Sequence, residues 1–195
     1  MSEIPQTRQS LLLALANRSE DAWLEFLEVY ENALFRFAVS KGLQEADARD
    51  VVQHVLEVVL NRLPTWDSGR KGSFRAWLFR VARNIAVDVI TARVRKANAT
   101  GDTHVAKMLS QVPTPAPDED DFEAEYRKSL FDWASKQVRS EVRDATWKAF
   151  SMTALEGRTA EDVAGVLGVT VGSVYTSKCR VVARIKARIA ELEDG

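Results

Sequence analysis

Residues 159–188 read TAEDVAGVLGVTVGSVYTSKCRVVARIKAR, and this stretch decides the fold. Thr159 stands where a helix N-cap belongs, with Asp162 three residues on, a variant of the capping box. Val163, Ala164, Val166 and Leu167 give the short helix that follows an apolar face. Gly168 suits the left-handed turn beyond it. Val169 and Thr170 make the turn, and Thr170 caps a longer helix that the spacing runs from about Val171 to Glu191. Val174, Val181, Val182, Ile185 and Ile189 fall on its inner stripe. A short helix, a glycine-containing turn and a basic second helix make a helix-turn-helix. Such a second helix lies in the major groove of DNA with its N-terminal half on the base edges. The residues it turns outward are Ser173, Tyr175, Thr176, Lys178, Cys179 and Arg180, with Arg184 a turn later. An ordinary corner of two packed helices is the blander reading. Against it, residues 172–189 carry Lys178, Arg180, Arg184, Lys186 and Arg188 and no acid.

Upstream the apolar residues also keep helical time. Trp23, Phe26, Leu27, Tyr30, Leu34 and Phe37 form one stripe over 19–40, with Ser19 as N-cap and Gly42 after the end. Ala48, Val51, Val52, Val55, Val58, Val59 and Leu63 repeat the pattern over 45–63 until Pro64 stops it. Phe74, Trp77, Leu78, Val81, Ile85 and Val89 mark a third helix over 73–95. From Ala97 to Asp121 the pattern dissolves into polar residues, three prolines and a run of acids, the composition of an extended, solvated linker. Phe122, Tyr126, Leu130 and Trp133 restart a helix. No run alternates at period two for long enough to be a strand. The expected fold is all-α: an N-terminal extension over 1–17, a small helical domain over 18–96, a flexible acidic linker over 97–121 and a second helical domain over 122–195 that holds the helix-turn-helix.

Composition narrows the chemistry. The chain has 195 residues, 46% of them hydrophobic, enough for two small cores. Its 27 Lys and Arg nearly balance 28 Asp and Glu, which excludes a uniformly basic coat. The charge is instead segregated. Residues 18–69 carry a net of −5, residues 70–96 a net of +7 and residues 97–126 a net of −6. Two basic segments separated by an acidic one make a footprint that fits nucleic acid. One cysteine excludes an intramolecular disulfide and a thiolate metal cage, and two distant histidines, His54 and His104, supply zinc chemistry and a histidine-based triad poorly. No metal, cofactor or catalytic residue is expected. The N-terminus lacks the basic-then-apolar order of a signal peptide and no apolar run spans a membrane, so a cytoplasmic location is the default.

Two further stretches carry a family likeness. Asp47-Ala-Arg-Asp-Val-Val-Gln53 resembles the start of the core-binding helix of bacterial sigma factors. Gly72-Ser-Phe-Arg-Ala-Trp-Leu-Phe-Arg-Val-Ala-Arg-Asn84 closely resembles the promoter-melting helix that follows it in that family. Thr159–Arg184 resembles the family's second DNA-binding domain. Together they resemble the short, two-domain, extracytoplasmic-function class of the sigma-70 family. The resemblance implies a protein that binds core RNA polymerase, recognises promoter DNA, melts the −10 element and starts transcription, and is not itself an enzyme. It implies that Asp47, Asp50, Gln53 and Glu57 dock on the polymerase. It implies that Trp66, Arg70, Lys71, Arg75, Arg80, Arg83 and Asn84 meet the −10 element. A flipped base needs polar edges and an aromatic wall, which Asn84 and Trp66 can offer, while the basic residues hold phosphates. The outward residues of the last helix would then read the −35 element. An anti-sigma factor is a further partner that the class implies. Arg49 and His54 stand where the family usually has acids, Lys178 where an aliphatic residue is common and Tyr175 where a basic one is.

A linker of this length reaches at most about 80–90 Å. That covers two promoter elements two helical turns apart, about 70 Å. The competing reading is a stand-alone helix-turn-helix regulator, which leaves the Gly72–Asn84 likeness unexplained. A small helical hydrolase or nuclease has acids in plenty, but none with a His or Lys placed beside it as a base.

Overall fold

The Ser19 hydroxyl accepts a hydrogen bond from the Ala22 amide at 3.4 Å, and the chain turns helical behind it. The computed structural model describes residues 7–66, 73–99 and 119–193, and every regular element among them is helical. The order is α1 (Gln9–Ala16), α2 (Glu20–Ser40), α3 (Glu45–Arg62) with a 3-10 turn (Leu63–Thr65), α4 (Phe74–Ala99), α5 (Glu119–Glu141), α6 (Asp144–Phe150) with a π-helical turn (Ser151–Leu155), α7 (Ala160–Leu167) and α8 (Val171–Glu193). The chain divides into two units, one within Met1–Ser129 and one over Leu130–Glu193.

In the first unit α3 packs against both α2 and α4. Much of the stripe read from the sequence is core: Phe26, Tyr30 and Phe37 of α2, Val51, Val55 and Val59 of α3, and Phe74 and Leu78 of α4 are buried. Val81, Ile85 and Val89 are half-buried, and Phe79, which the stripe did not include, is buried instead. Gly42 closes α2 at φ +83°, a conformation that disfavours any side chain with a Cβ. Pro64 sits inside the 3-10 turn that ends α3. The N-terminal extension contains a helix that the periodicity did not mark. Leu11, Leu12 and Leu15 bury α1 against α2, and α1 also touches the 3-10 turn. Tertiary contacts fix its start: Thr7 hydrogen-bonds the Tyr30 hydroxyl, and Arg8 donates to both Glu25 carboxylate oxygens at 2.9 and 2.8 Å.

The sequence reading begins the second domain at Phe122, after a linker over 97–121. The structure draws the start of α5 into the first unit instead. The Phe122 ring lies 5.7 Å from Phe37 and 5.8 Å from Phe79, and Tyr126 lies 5.1 Å from Tyr30. Both are fully enclosed, at 2% and 1% exposure. Burial of two aromatic rings outweighs the polar character of the residues just before them. The acids Asp120 and Asp121 suit the positive end of the helix dipole, so they start α5 rather than extend the linker. Residues 97–99 complete α4, and residues 100–118 lie outside the described residues.

The second unit holds the end of α5 with α6, α7 and α8. One cluster gathers Ala134, Val138, Phe150, Val181 and Ile185; another gathers Ala149, Ala160, Val163, Ala164 and Val174. The caps read from the sequence are formed. Thr159 accepts from the Asp162 amide at 3.2 Å, Gly168 is left-handed at φ +65°, and Thr170 accepts from the Ser173 amide at 3.2 Å.

Candidate functional site

The first face belongs to α8. Val174, Val181 and Ile185 anchor it on the core, which turns the intervening residues to solvent. Tyr175 is 54% exposed, and Cys179 and Arg180 are exposed beside it. Lys178 is half-buried at the edge of the same surface. No hydrogen bond or ion pair within the described residues ties these side chains down. The other candidates are engaged. The Ser173 hydroxyl lies 2.9 Å from that of Thr170, and the Thr176 hydroxyl donates to the Gly172 carbonyl at 2.9 Å. Both residues remain exposed at the N-terminal end of the helix.

Arg184 points away from that end. It donates to the Glu141 carbonyl at 3.4 Å, with the Glu141 carboxylate 3.7 Å off. A cation over the last carbonyls of α5 is favourable there. Arg188 donates to Glu141 and to Glu191, and these bonds hold its guanidinium above the ordinary arginine range. The basic surface therefore ends at Arg180, while Lys186 stands exposed farther along.

One cation escaped the sequence reading. Arg158, directly before the Thr159 cap, lines a shallow groove of about 230 Å³ with Thr153, Glu161, Tyr175 and Lys178. The signal was a basic residue next to an N-cap. Only the fold brings it beside Lys178.

The second face belongs to α4 and the turn before it. Arg80 and Asn84 are exposed one turn apart, so they share a side of the helix, with Arg83 half-buried next to them. Trp66 is half-buried and held by aromatic neighbours, its ring 5.7 Å from Phe74 and 6.4 Å from Trp77. Its indole N–H is enclosed and meets no acceptor among the described residues. Trp77 is core, at 9% exposure. Arg70 and Lys71 lie outside the described residues.

Arg75 occupies a different environment from the other basic residues. It is 4% exposed, its guanidinium 4.7 Å over the Tyr126 ring and 3.5 Å from Glu123. Burial alone would favour its neutral form. Tyr126, Tyr30 and Glu123 outweigh burial and hold the group above the ordinary arginine range. In this structure it faces the start of α5 and not solvent.

The third face belongs to α3. Asp50, Gln53 and Glu57 are exposed at positions i, i+3 and i+7, one continuous stripe. Leu60, 41% exposed, extends the stripe by another turn and was missed because a lone leucine carries no signal in an amphipathic pattern. Asp47 stands apart, 14% exposed and ion-paired with Arg93, so it ties α3 to α4. Arg49 pairs with Glu45 at 3.6 Å. Among the described residues no cluster of His, Cys, Asp and Glu could hold a metal ion. No helix among them is long and apolar enough to cross a membrane.

These faces present side chains that can bind and position a partner. Comparison with known proteins points the same way. Residues 26–98 match the family model of sigma-70 region 2. The chain is 28% identical over 197 residues to the RNA polymerase sigma factor CnrH of Cupriavidus metallidurans, covering 98% of this chain and 97% of that protein. It is 26% identical over 185 residues to the RNA polymerase sigma factor NccH of Alcaligenes xylosoxydans xylosoxydans, covering 94% and 95%.

Proposed function

We infer that the chain, which belongs to the extracytoplasmic-function class of the sigma-70 family, binds core RNA polymerase and directs it to promoters, where it takes part in opening the DNA and starting transcription. It contributes specificity, and the polymerase contributes the chemistry. The observation that carries the reading is the combination in one chain of a sigma-70 region 2 match over 26–98 and a capped helix-turn-helix in a separate unit. A stand-alone helix-turn-helix regulator needs only the second.

The division of labour follows from the three faces. The stripe Asp50, Gln53, Glu57 and Leu60 docks on the polymerase, with Asp47 holding it in place through Arg93. Polar and acidic groups around one exposed leucine suit a partner with basic rim residues and a small apolar pocket. Arg80, Arg83 and Asn84 meet the −10 strand, the arginines on phosphate and Asn84 on a base edge. Trp66 gives a flipped base an aromatic edge. On α8, Arg180 reads a base, Tyr175 and Cys179 pack beside it, and Lys178 with Arg158 neutralises phosphate. An anti-sigma factor, as is typical of the class, would act by covering these faces. The work is done in the cytoplasm, where polymerase and DNA are.

Titration of core polymerase with the chain tests the docking face. Asp50→Lys with Glu57→Lys weakens holoenzyme formation about tenfold or more, since like charges then meet across the interface. Unchanged affinity in the folded double variant would remove α3 from the interface. Asn84→Ala leaves closed-complex formation intact and reduces permanganate reactivity of −10 thymines.

A further inference from the structure

Arg75 lies in the first turn of the helix proposed to meet promoter DNA, yet it is the most enclosed of that helix's described cations. Its position is unfavourable in itself. A cation in the first turn of a helix faces the positive end of the dipole, and a buried cation needs an anion beside it. Glu123 is that anion, at 3.5 Å and largely shielded from solvent at 19% exposure. Glu123 and Tyr126, the anion and the ring against Arg75, come from one short segment, while Tyr30 of α2 completes its surroundings. Phe122 wedges between Phe37 and Phe79, Tyr126 lies under the guanidinium, and Asp121 pairs with Lys41 at the end of α2. The segment has charge for Arg75, rings for the groove between α2 and α4, and a second ion pair at its start.

We propose that the start of α5, Glu119–Ser129, is an intramolecular latch that withholds Arg75 from DNA, with the Glu123 carboxylate standing where a strand phosphate would. The proposal rests on the reading of α4 as the DNA-facing helix and goes beyond it by making one of its contacts conditional. Carboxylate and phosphate are alternative ligands of one guanidinium, and both accept its N–H groups in the same fork geometry. They exclude one another. By linkage, whatever loosens the segment raises affinity for single-stranded DNA, and DNA loosens the segment by the same factor.

The test uses the full chain without polymerase and a labelled single-stranded DNA of randomised sequence, followed by anisotropy over a range of salt. Glu123→Gln keeps the size of the side chain and removes its charge. It raises affinity about three- to tenfold and steepens the plot of log affinity against log salt by about 0.7, the increment for one more phosphate on a single strand. Arg75→Ala in the Glu123→Gln background abolishes both gains. Asp121→Asn, which loosens the segment through Lys41 without touching Arg75, gives a smaller gain in the same direction. An unchanged salt slope in Glu123→Gln, or a gain that survives Arg75→Ala, would overturn the latch. Promoter-dependent transcription by the wild-type chain with core polymerase is measured in parallel. Its absence would refute the sigma-factor reading, while the latch stands or falls on the DNA titration.

Discussion

Phe122→Ala separates the two units energetically. Phe122 lies outside residues 26–98 that match sigma-70 region 2, yet its ring is 2% exposed in the core of the first unit. Two phenylalanines flank it, at 5.7 and 5.8 Å between ring centroids. Removing a buried phenylalanine down to Cβ costs about 3–5 kcal/mol. The lower end applies here. Once the ring is gone the whole segment can leave, so the loss is capped by what Tyr126, Glu123 and Asp121 still contribute to docking. We expect about 3 kcal/mol. With a urea m-value of about 2 kcal/mol/M, that moves the midpoint of the first unit down by about 1.5 M. The tryptophans allow each unit to be watched alone. Trp23, Trp66 and Trp77 report the first unit, and Trp133 and Trp147 report the second. Urea titration of Phe122→Ala in backgrounds where either set is replaced by Phe gives the two midpoints. The first should fall while the second stays within about 0.3 M, the spread of a distant site. A fall in the second midpoint with the first unmoved would place Phe122 in the other core and refute the assignment.

Thr159→Ala removes the cap on the Asp162 amide and lowers the stability of the second unit by about 1 kcal/mol. Gly168→Ala costs about 1–2 kcal/mol through backbone strain at φ +65°, because a Cβ there meets no atom within 4 Å; chemical denaturation of the second unit measures both. Hydrogen bonds from Lys148 and Arg139 hold the Asp144 carboxyl below the ordinary Asp value. Its contribution is therefore present above the unfolded Asp pKa and is lost as pH falls through the depressed folded value. Carboxyl NMR titration should show the lowered midpoint, and Lys148→Ala should raise it. In a selection on randomised −35 DNA, Arg180→Ala changes which sequences are retained. Lys186→Ala lowers affinity for all of them alike and reduces the salt slope by at most about one. Identical preferences for wild type and Arg180→Ala would mean that α8 does not read bases as assigned.

The helix-turn-helix was legible residue by residue because its signals are local. A threonine cap, a left-handed glycine and a second threonine cap lie within 12 residues, and each acts on its own backbone. The stripes of α2, α3 and α4 were legible for the same reason: periodicity needs no knowledge of the partner. What escaped depends on long-range pairing. The start of α1 has no capping side chain and is fixed by Thr7 on Tyr30 and Arg8 on Glu25. Phe122 and Tyr126 have helical spacing, but nothing in that spacing says which core they enter. Arg75 and Asp47 look like solvent-facing members of charged runs and are instead paired with Glu123 and Arg93. The pattern finds where charges are dense; only the fold decides which of them are already matched.

The most direct test of the account is run-off transcription from a pool of genomic promoter fragments, with purified core polymerase and the purified chain added singly and together. Discrete start sites should appear only when both are present, each preceded by two elements spaced about two helical turns apart. Asn84→Ala and the Asp50→Lys, Glu57→Lys double variant should suppress them. Sequence-specific binding by the chain alone at the affinity of the mixture, with no new start sites on adding core polymerase, would contradict it and identify a stand-alone regulator.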